Sequence, residues 1–205
     1  MSSINGFVLA GGLGRRMGRS KGGMTIGGVT LIERAARVLS AVADPVVIVG
    51  NDLGDTGVFQ SMSDEDIGGG ARGAIVGLYT ALLNCRAEWA AVLACDLPFV
   101  SGELLMRMLA ATKNEEPAEA GTQNLVLCGQ SDGRIQPLCG LYRAASCLHV
   151  VKLMLNEGNW RLQELAARLE ADVIAYDEIA GLSGAEYFFD NLNTPADFEA
   201  AQRHV

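Results

Sequence analysis

The sequence predicts an α/β fold in which a mostly parallel β-sheet is covered on both faces by helices, as a three-layer α/β/α sandwich. Short apolar runs at residues 7–10, 46–49 and 90–94 alternate with longer amphipathic segments along the chain. The runs are continuously apolar, which is typical of parallel strands buried on both faces. With 205 residues, of which 49% are hydrophobic, the chain suits one domain, residues 1–205, with a substantial core.

The remaining elements follow from periodicity and from the signals at helix ends. A helix is predicted over 31–42, with Thr30 and Glu33 as a capping box at its start. Further helices are predicted over 73–83, from 101, from 144 and over 161–169, and Thr194-Pro195 begins a short last helix. Strands are predicted over 124–128, 138–142 and 173–176, with a polar surface loop at 113–121.

Composition excludes several classes of function. The formal net charge of −8 disfavours binding to nucleic acid or to an anionic membrane surface. No apolar run reaches the length of a membrane span, and the N-terminus lacks a signal-peptide pattern, so we expect a cytoplasmic protein. The five cysteines have no CxxC spacing, which indicates free thiols within apolar segments rather than disulfides or a zinc site.

A glycine-rich loop with four cations directly follows the first predicted strand. Residues 9–21 read L-A-G-G-L-G-R-R-M-G-R-S-K. Its backbone N–H groups, together with Arg16 and Lys21, suit a triphosphate. It matches neither a Walker A loop nor the dinucleotide fingerprint, which disfavours a Rossmann-type dehydrogenase. A flexible turn with solvated arginines is the alternative, but the position after a buried strand favours phosphate binding.

Asp96 follows the predicted strand at 90–94 and precedes Pro98 and a helix. A carboxylate at the carboxyl end of a parallel strand faces the ligand crevice. Mg²⁺ prefers one or two carboxylates together with phosphate oxygens and water. A turn or helix-capping aspartate is an equally common use of this residue type. The spacing alone therefore leaves both interpretations open.

The two segments together resemble the nucleotidyltransferases that include sugar-nucleotide pyrophosphorylases, and most of all the molybdenum cofactor guanylyltransferases. The resemblance implies a Rossmann-like, nucleotide-diphospho-sugar transferase-like fold. It further implies a loop that wraps the nucleoside triphosphate, with Lys21 on its phosphates and Asp96 on Mg²⁺. Ser20 departs from the family, which usually has aspartate there. Residues 94–99 match the family's A-C-D-M-P-F with Leu97 for methionine, and the matching loop positions are Leu9, Ala10, Gly11, Gly12, Arg16, Met17, Gly18 and Lys21.

The same resemblance suggests residues that contact the base. Asn51 lies at the end of the strand at 46–49, where it could contact the base, although a turn is the simpler explanation. Counting back from the family's G-x-x-x-G-L pattern places Asp66 on an aspartate near the guanine, with Asp64 as a rival. A carboxylate accepts from both N1–H and N2–H of guanine, and adenine lacks that pair of donors.

Acceptor-side residues are expected in two further segments. Residues 132–137 resemble the family's D-G-R-x-Q-P and predict Asp132, Arg134 and Gln136 beside the acceptor pterin, although a β-turn explains the first half. Residues 191–195 resemble N-x-N-T-P. Capping by Thr194 does not require Asn191 or Asn193, which makes these two candidates for the metal or acceptor site.

The predicted function is transfer of GMP from GTP to the terminal phosphate of molybdopterin, with Mg²⁺ as cofactor and Lys21, Arg16 and Asp96 as catalytic residues. GTP and molybdopterin are the expected partners, and the resemblance adds molybdoenzyme chaperones. Alternatives are cytidylyl or guanylyl transfer to molybdopterin or another phosphorylated small molecule. A non-catalytic nucleotide-binding protein is a rival from a different class.

Overall fold

The computed structural model describes residues 4–11, 21–51, 53–68, 70–112 and 123–204. Nine strands lie in this part of the chain: β1 (Ile4–Leu9), β2 (Thr25–Ile26), β3 (Val29–Thr30), β4 (Val46–Val49), β5 (Gln60–Met62), β6 (Trp89–Ala94), β7 (Leu125–Gly129), β8 (Ile135–Arg143) and β9 (Asp172–Ile174). Seven α-helices accompany them: α1 (Leu31–Leu39), α2 (Ala74–Asn84), α3 (Gly102–Ala111), α4 (Ala144–Asn156), α5 (Leu162–Arg168), α6 (Tyr176–Ile179) and α7 (Pro195–Ala201).

Seven of the strands form one sheet in the order β5-β4-β1-β6-β8-β7-β9, and β2 and β3 form a separate hairpin. Strands β5, β4, β1 and β6 are mutually parallel, and so are β7 and β9. Strand β8 is antiparallel to both of its neighbours. The predicted mostly parallel sheet is therefore confirmed, with one reversed strand inside it.

Both faces of the sheet are covered because successive side chains of a strand point to opposite sides. In β6, Leu93 lies in one buried cluster and Val92 in the other. Helices α1, α3 and α7 cover what we call the first face. Helices α2, α4 and α5 cover the second face. This arrangement explains why the strands read as continuous apolar runs, since neither face is left to water.

The predicted caps differ in how completely they form. Ser101 and Thr194 cap α3 and α7 through their hydroxyl oxygens, and Asp197 completes a capping box at α7. At α1 the Thr30 hydroxyl accepts from the Glu33 N–H at 3.1 Å. The Glu33 carboxylate, however, pairs with Arg37 one turn later. Only half of the predicted box is thus present, because an exposed ion pair on the helix surface competes for the carboxylate.

Three short elements were not predicted: β5, the β2–β3 hairpin and α6. Strand β5 has the sequence Gln-Ser-Met and lies at the edge of the sheet, so it carries no apolar pattern. The two-residue hairpin strands and the single turn of α6 are too short for periodicity to show. The predicted helix over 31–42 ends at Leu39, and the first strand begins at Ile4 rather than residue 7.

The cysteines are free thiols, of which Cys85 is half-buried and the other four are buried. Burial raises the pKa of Cys128 and of Cys147 to about 12, so these thiols stay protonated at neutral pH. In the described residues no helix has both the length and the apolar character needed to cross a membrane.

Candidate active site

The register of the parallel strands brings four polar or glycine positions to one edge of the sheet. Leu9 in β1 pairs with Val49 in β4 and with Ala94 in β6, and Val49 pairs with Met62 in β5. Two residues beyond each of these matched positions lie Gly11, Asn51, Asp64 and Asp96. We call this side of the sheet the crevice edge, and such edges are where α/β sheets bind ligands.

A glycine is required at position 50, where the chain after β4 passes close to the chain after β1. Its φ is +152°, and a Cβ at this position would lie 2.6 Å from the Gly11 nitrogen and 3.0 Å from the Ala10 carbonyl carbon. The Gly50 N–H donates to the Met62 carbonyl at 3.0 Å. A larger residue at position 50 would therefore push the start of the glycine-rich loop away from β4.

Asp64 occupies the centre of this group. The Asn51 side-chain amide donates to its Oδ2 at 3.3 Å. A Cβ on Gly11 would lie 3.0 Å from the same oxygen, and one on Gly77 of α2 would lie 3.5 Å from Oδ1. Oδ1 is buried and has no hydrogen-bond donor among the described residues. Burial raises the pKa of Asp64, as expected for a carboxylate that is partly removed from water.

The backbone that carries Asp64 is anchored by a buried threonine. The Thr80 hydroxyl in α2 accepts from the Glu65 N–H at 2.9 Å and donates to the Val76 carbonyl at 2.9 Å. Thr80 is fully buried. Neither Thr80 nor Gly50 was singled out from the sequence, although a threonine within an apolar helix and a glycine directly after a strand are both detectable signals.

Asp66, the residue expected near the base, lies in a different setting. Its side chain is exposed, and Oδ1 accepts from the Gly68 N–H at 3.0 Å in a local turn. The structure thus brings Asn51, Gly11 and Asp64 together, whereas Asp66 has no such contact with the residues that the structure describes.

Asp96 lies in the turn that follows β6. The Cys95 N–H donates to the Leu9 carbonyl at 3.1 Å, which fixes this turn against the end of β1. The Asp96 carbonyl accepts from the Leu192 N–H at 3.1 Å. This bond places Asn191 and Asn193, which are both exposed, on either side of a residue held against the Asp96 turn.

The donor set around Asp96 suits a metal shared with phosphate rather than a closed protein cage. In the described residues, no group of three or more His, Cys, Asp or Glu side chains could hold a metal ion. Asp96 is a half-buried single carboxylate at a strand end. One carboxylate with phosphate oxygens and water completes the octahedral shell that Mg²⁺ demands. The residues therefore fit a magnesium ion that arrives with a nucleotide.

The residues predicted for the acceptor side, in the β7–β8 turn and at the start of β8, lie on the same edge. Continuing the β6–β8 register beyond Leu93 and Cys139 brings Gln136, which is buried, level with Asp96. Asp132 accepts from the backbone N–H of Arg134 at 3.1 Å and from its Nε at 2.7 Å. These two hydrogen bonds lower the pKa of Asp132. Asp132 and Arg134 thus neutralise each other on an exposed turn.

Part of the predicted phosphate site lies outside the described residues. Gly12 and Arg16 fall in the segment 12–20, and for Lys21 only the backbone is described, at the start of a short 3₁₀ helix over Lys21–Gly23. Leu9 and Ala10 are buried at the end of β1. The Ala10 N–H donates to the Val49 carbonyl at 2.8 Å, which directs the chain into the crevice edge.

Sequence comparison identifies the family. The MobA-like NTP transferase domain matches residues 6–173. The chain belongs to this family. The match includes Gly11, Asn51, Asp64 and Asp96 at the crevice edge, and the resemblance inferred from the two motifs is confirmed.

Relatives of this MobA-like chain match over nearly their full length. The probable molybdenum cofactor guanylyltransferase of Geobacillus sp. (strain WCH70) is 32% identical over 97% of this chain and 98% of its own length. The molybdenum cofactor guanylyltransferase of Desulfosudis oleivorans is 26% identical over 100% of this chain and 97% of its own.

Solved structures agree on the fold. Molybdopterin-guanine dinucleotide biosynthesis protein A from Archaeoglobus fulgidus superposes with a TM-score of 0.76 at 24% identity, covering 98% of this chain and 97% of that one. The 2-C-methyl-D-erythritol 4-phosphate cytidylyltransferase from Thermus thermophilus gives a TM-score of 0.67 at 15% identity, covering 100% and 98%. The nucleotide-diphospho-sugar transferase-like fold predicted for the MobA-like chain is confirmed.

Replacing Thr80 should separate packing from positioning. Thr80→Val keeps the shape but leaves the Glu65 N–H without its acceptor, so we expect the free energy of unfolding to fall by about 1–3 kcal/mol and binding of nucleoside triphosphate to weaken. Thr80→Ser loses a buried methyl group but keeps the hydroxyl, and it should bind nucleotide normally. Denaturant unfolding and equilibrium nucleotide binding measure the two effects. Equal nucleotide affinity in both variants would rule out the positioning role.

Asp64→Asn should stabilise the protein at neutral pH. Burial raises the pKa of Asp64 in the folded state above its ordinary value of 3.8. Between that value and the raised pKa, the folded chain binds more protons than the unfolded chain. The free energy of unfolding therefore falls as the pH rises through this interval. Asparagine removes the buried charge. Its advantage in urea unfolding should be present at pH 7 and disappear at pH values below about 4.

The matched control is Asp66→Asn, because Asp66 is exposed. We expect this variant to unfold like the unmodified protein at both pH values. A stability gain at Asp66 equal to that at Asp64, or none at Asp64, would contradict the burial argument.

Proposed function

We propose that the chain transfers GMP from GTP to the terminal phosphate of molybdopterin, which yields molybdopterin guanine dinucleotide and pyrophosphate. The observation that carries the proposal is the shared register at the crevice edge. This register brings three groups to the same edge: Gly11 at the start of the glycine-rich loop, the Asp64 carboxylate, which can accept hydrogen bonds, and the Asp96 carboxylate. Curated relatives over the full chain bear the name molybdenum cofactor guanylyltransferase, which supports this choice of substrates.

Guanine recognition is assigned to Asp64 in preference to Asp66. The Asp64 Oδ1 atom is buried without a donor among the described residues, and Oδ2 is oriented by Asn51. A carboxylate so placed accepts from guanine N1–H and N2–H, and these charge-assisted hydrogen bonds also offset the cost of its burial. Asp66 already satisfies a local turn, which makes it the weaker candidate.

The reaction needs no protein base, because the attacking phosphate of molybdopterin is already anionic. A phosphate oxygen forms a bond to the α-phosphorus of GTP, and the bond from that phosphorus to the oxygen bridging to the β-phosphate breaks. The electron pair leaves with pyrophosphate. Catalysis then consists of holding both phosphates in line and neutralising charge.

The residues divide this work. Backbone N–H groups of the glycine-rich loop orient the triphosphate, and Lys21 and Arg16 stabilise the departing pyrophosphate. Asp96 would hold the magnesium ion, which when bound would supply positive charge to the phosphate oxygens. Gln136, Asn191 and Asn193 border the acceptor, together with the Asp132–Arg134 turn. Delivery of the product to molybdoenzyme chaperones, which the resemblance implies, is part of the same prediction.

Asp96→Asn should lower the rate of GMP transfer at least about 100-fold, because the variant loses the charge that holds the metal against the triphosphate. The measurement is formation of labelled dinucleotide from GTP and molybdopterin, with circular dichroism to verify the fold. Asp44→Asn, an exposed aspartate before β4 at the opposite edge of the sheet, is the matched control and should retain full activity. Retention of most activity by Asp96→Asn would overturn the metal role.

The base assignment is tested by comparing GTP with ITP, which lacks the N2 amino group. The unmodified protein should prefer GTP, and Asp64→Asn should reduce that preference by about tenfold or more. Asp66→Asn should leave it unchanged. If Asp66→Asn reduces the preference for GTP and Asp64→Asn does not, Asp66 is the residue that contacts guanine. CTP and ATP in the same assay separate guanylyl from cytidylyl transfer, and equal rates of nucleotidyl transfer from GTP, CTP and ATP would refute the proposed specificity.

A further inference from the structure

An arginine and a tryptophan from two distant segments meet on the second face. Arg72 lies just before α2, and its guanidinium carbon is 5.6 Å from the centre of the Trp160 ring. Trp160 follows α4 and is half-buried against the second-face core. Arg72 is exposed. We call these two residues the Arg72–Trp160 pair.

The pair lies at the crevice edge. Helix α2 begins there, since Gly77 in its first turns faces Asp64. Helix α4 begins at the opposite edge, where the Ala144 N–H donates to the Glu88 carbonyl, and therefore ends at the crevice edge. The Gln163 side chain of α5 donates to the Ile135 carbonyl at 3.1 Å. The pair consequently bridges the part of the edge near Asp64 and the start of β8, which carries Gln136.

The chain contains a second arginine over a tryptophan, and the contrast is informative. Arg143 lies 5.2 Å from the Trp89 ring and also forms a salt bridge with Glu88 at 3.1 Å. In the described residues no carboxylate is within salt-bridge distance of Arg72. The contact with Trp160 uses none of the five N–H donors of the guanidinium. These donors, and the side of the guanidinium that faces away from Trp160, are therefore available to a ligand.

The position favours the acceptor over the triphosphate. Gly22 follows the segment 12–20 in the sequence and lies on the first face, because a Cβ at this position would meet Ile32 of α1 at 2.4 Å. The Arg72–Trp160 pair lies on the second face. The reacting phosphate of the acceptor must lie near Asp96, which leaves the other end of the acceptor, the planar pyrimidinone ring of the pterin, to reach the pair.

We propose that the Arg72–Trp160 pair binds the pterin end of the acceptor, with the heterocycle stacked on the outer face of the Arg72 guanidinium. Cations stack favourably on planar aromatic rings, and Arg72 would then lie between two such rings. This inference rests on the proposed function, because it takes the acceptor to be molybdopterin. It adds a specificity-determining site on the second face to the residues already assigned to the acceptor.

The test uses tryptophan fluorescence, because the chain has two tryptophans and Trp89 is buried near the opposite edge. In a Trp89→Phe background, a simple pterin without phosphate should quench Trp160. Arg72→Ala should weaken pterin binding about tenfold. Arg86→Ala, an exposed arginine just after the other end of α2, should leave it unchanged. In the unmodified background, Arg72→Ala should raise the KM for molybdopterin with the KM for GTP unaltered.

Three outcomes would overturn the proposal: equal pterin affinity in Arg72→Ala, equal loss of GTP and pterin affinity, or Arg72-dependent binding of molybdopterin but not of the simple pterin. The last outcome would indicate a phosphate contact instead of stacking. If the unmodified protein transfers no GMP yet Trp160 is quenched in an Arg72-dependent manner, the proposed function fails and the pterin site stands. If the unmodified protein transfers GMP and Arg72→Ala behaves like it in every assay, the proposed function stands and the pterin site fails.

Discussion

The in-register pairing of four parallel strands is the constraint on which the site depends. Backbone hydrogen bonds fix β5, β4, β1 and β6 relative to one another, so the chain leaves each of these strands at the same level of the sheet. A slip of one residue would exchange the two faces of a strand and bury the wrong side chains. The core therefore enforces the register, and the register in turn places Gly11, Asn51, Asp64 and Asp96 together at the crevice edge.

The crevice edge also carries an energetic cost that the rest of the fold sustains. The Asp64 carboxylate is partly buried, and its Oδ1 atom has no hydrogen-bond donor among the described residues, which disfavours the folded state. The surrounding structure holds Asp64 in place through Thr80, which is itself fully buried in α2. Sites that keep an acceptor desolvated before the ligand arrives reduce the reorganisation needed on binding. The apolar clusters on both faces supply the stability that permits this arrangement.

The sequence was sufficient for the long helices, for six of the seven strands of the sheet and for the two main motifs, because each rests on a local pattern. Continuous apolar runs predict β1, β4 and β6, and the polar residues just after them predict the crevice edge. The choice between Asp64 and Asp66 could not be made in this way, since both lie in one acidic loop and differ only in what α2 and the end of β1 present to them. Thr80 and the Arg72–Trp160 pair are likewise products of tertiary contact between segments far apart in the chain.

The hydrogen bond from the Leu192 N–H to the Asp96 carbonyl has a consequence for the timing of assembly. Position 192 is synthesised after β9, the last strand of the sheet. A nascent chain that ends before this position contains all seven strands of the sheet but lacks the donor that braces the Asp96 turn. The turn that carries Asp96 can therefore reach its final geometry only after the C-terminal segment has been synthesised.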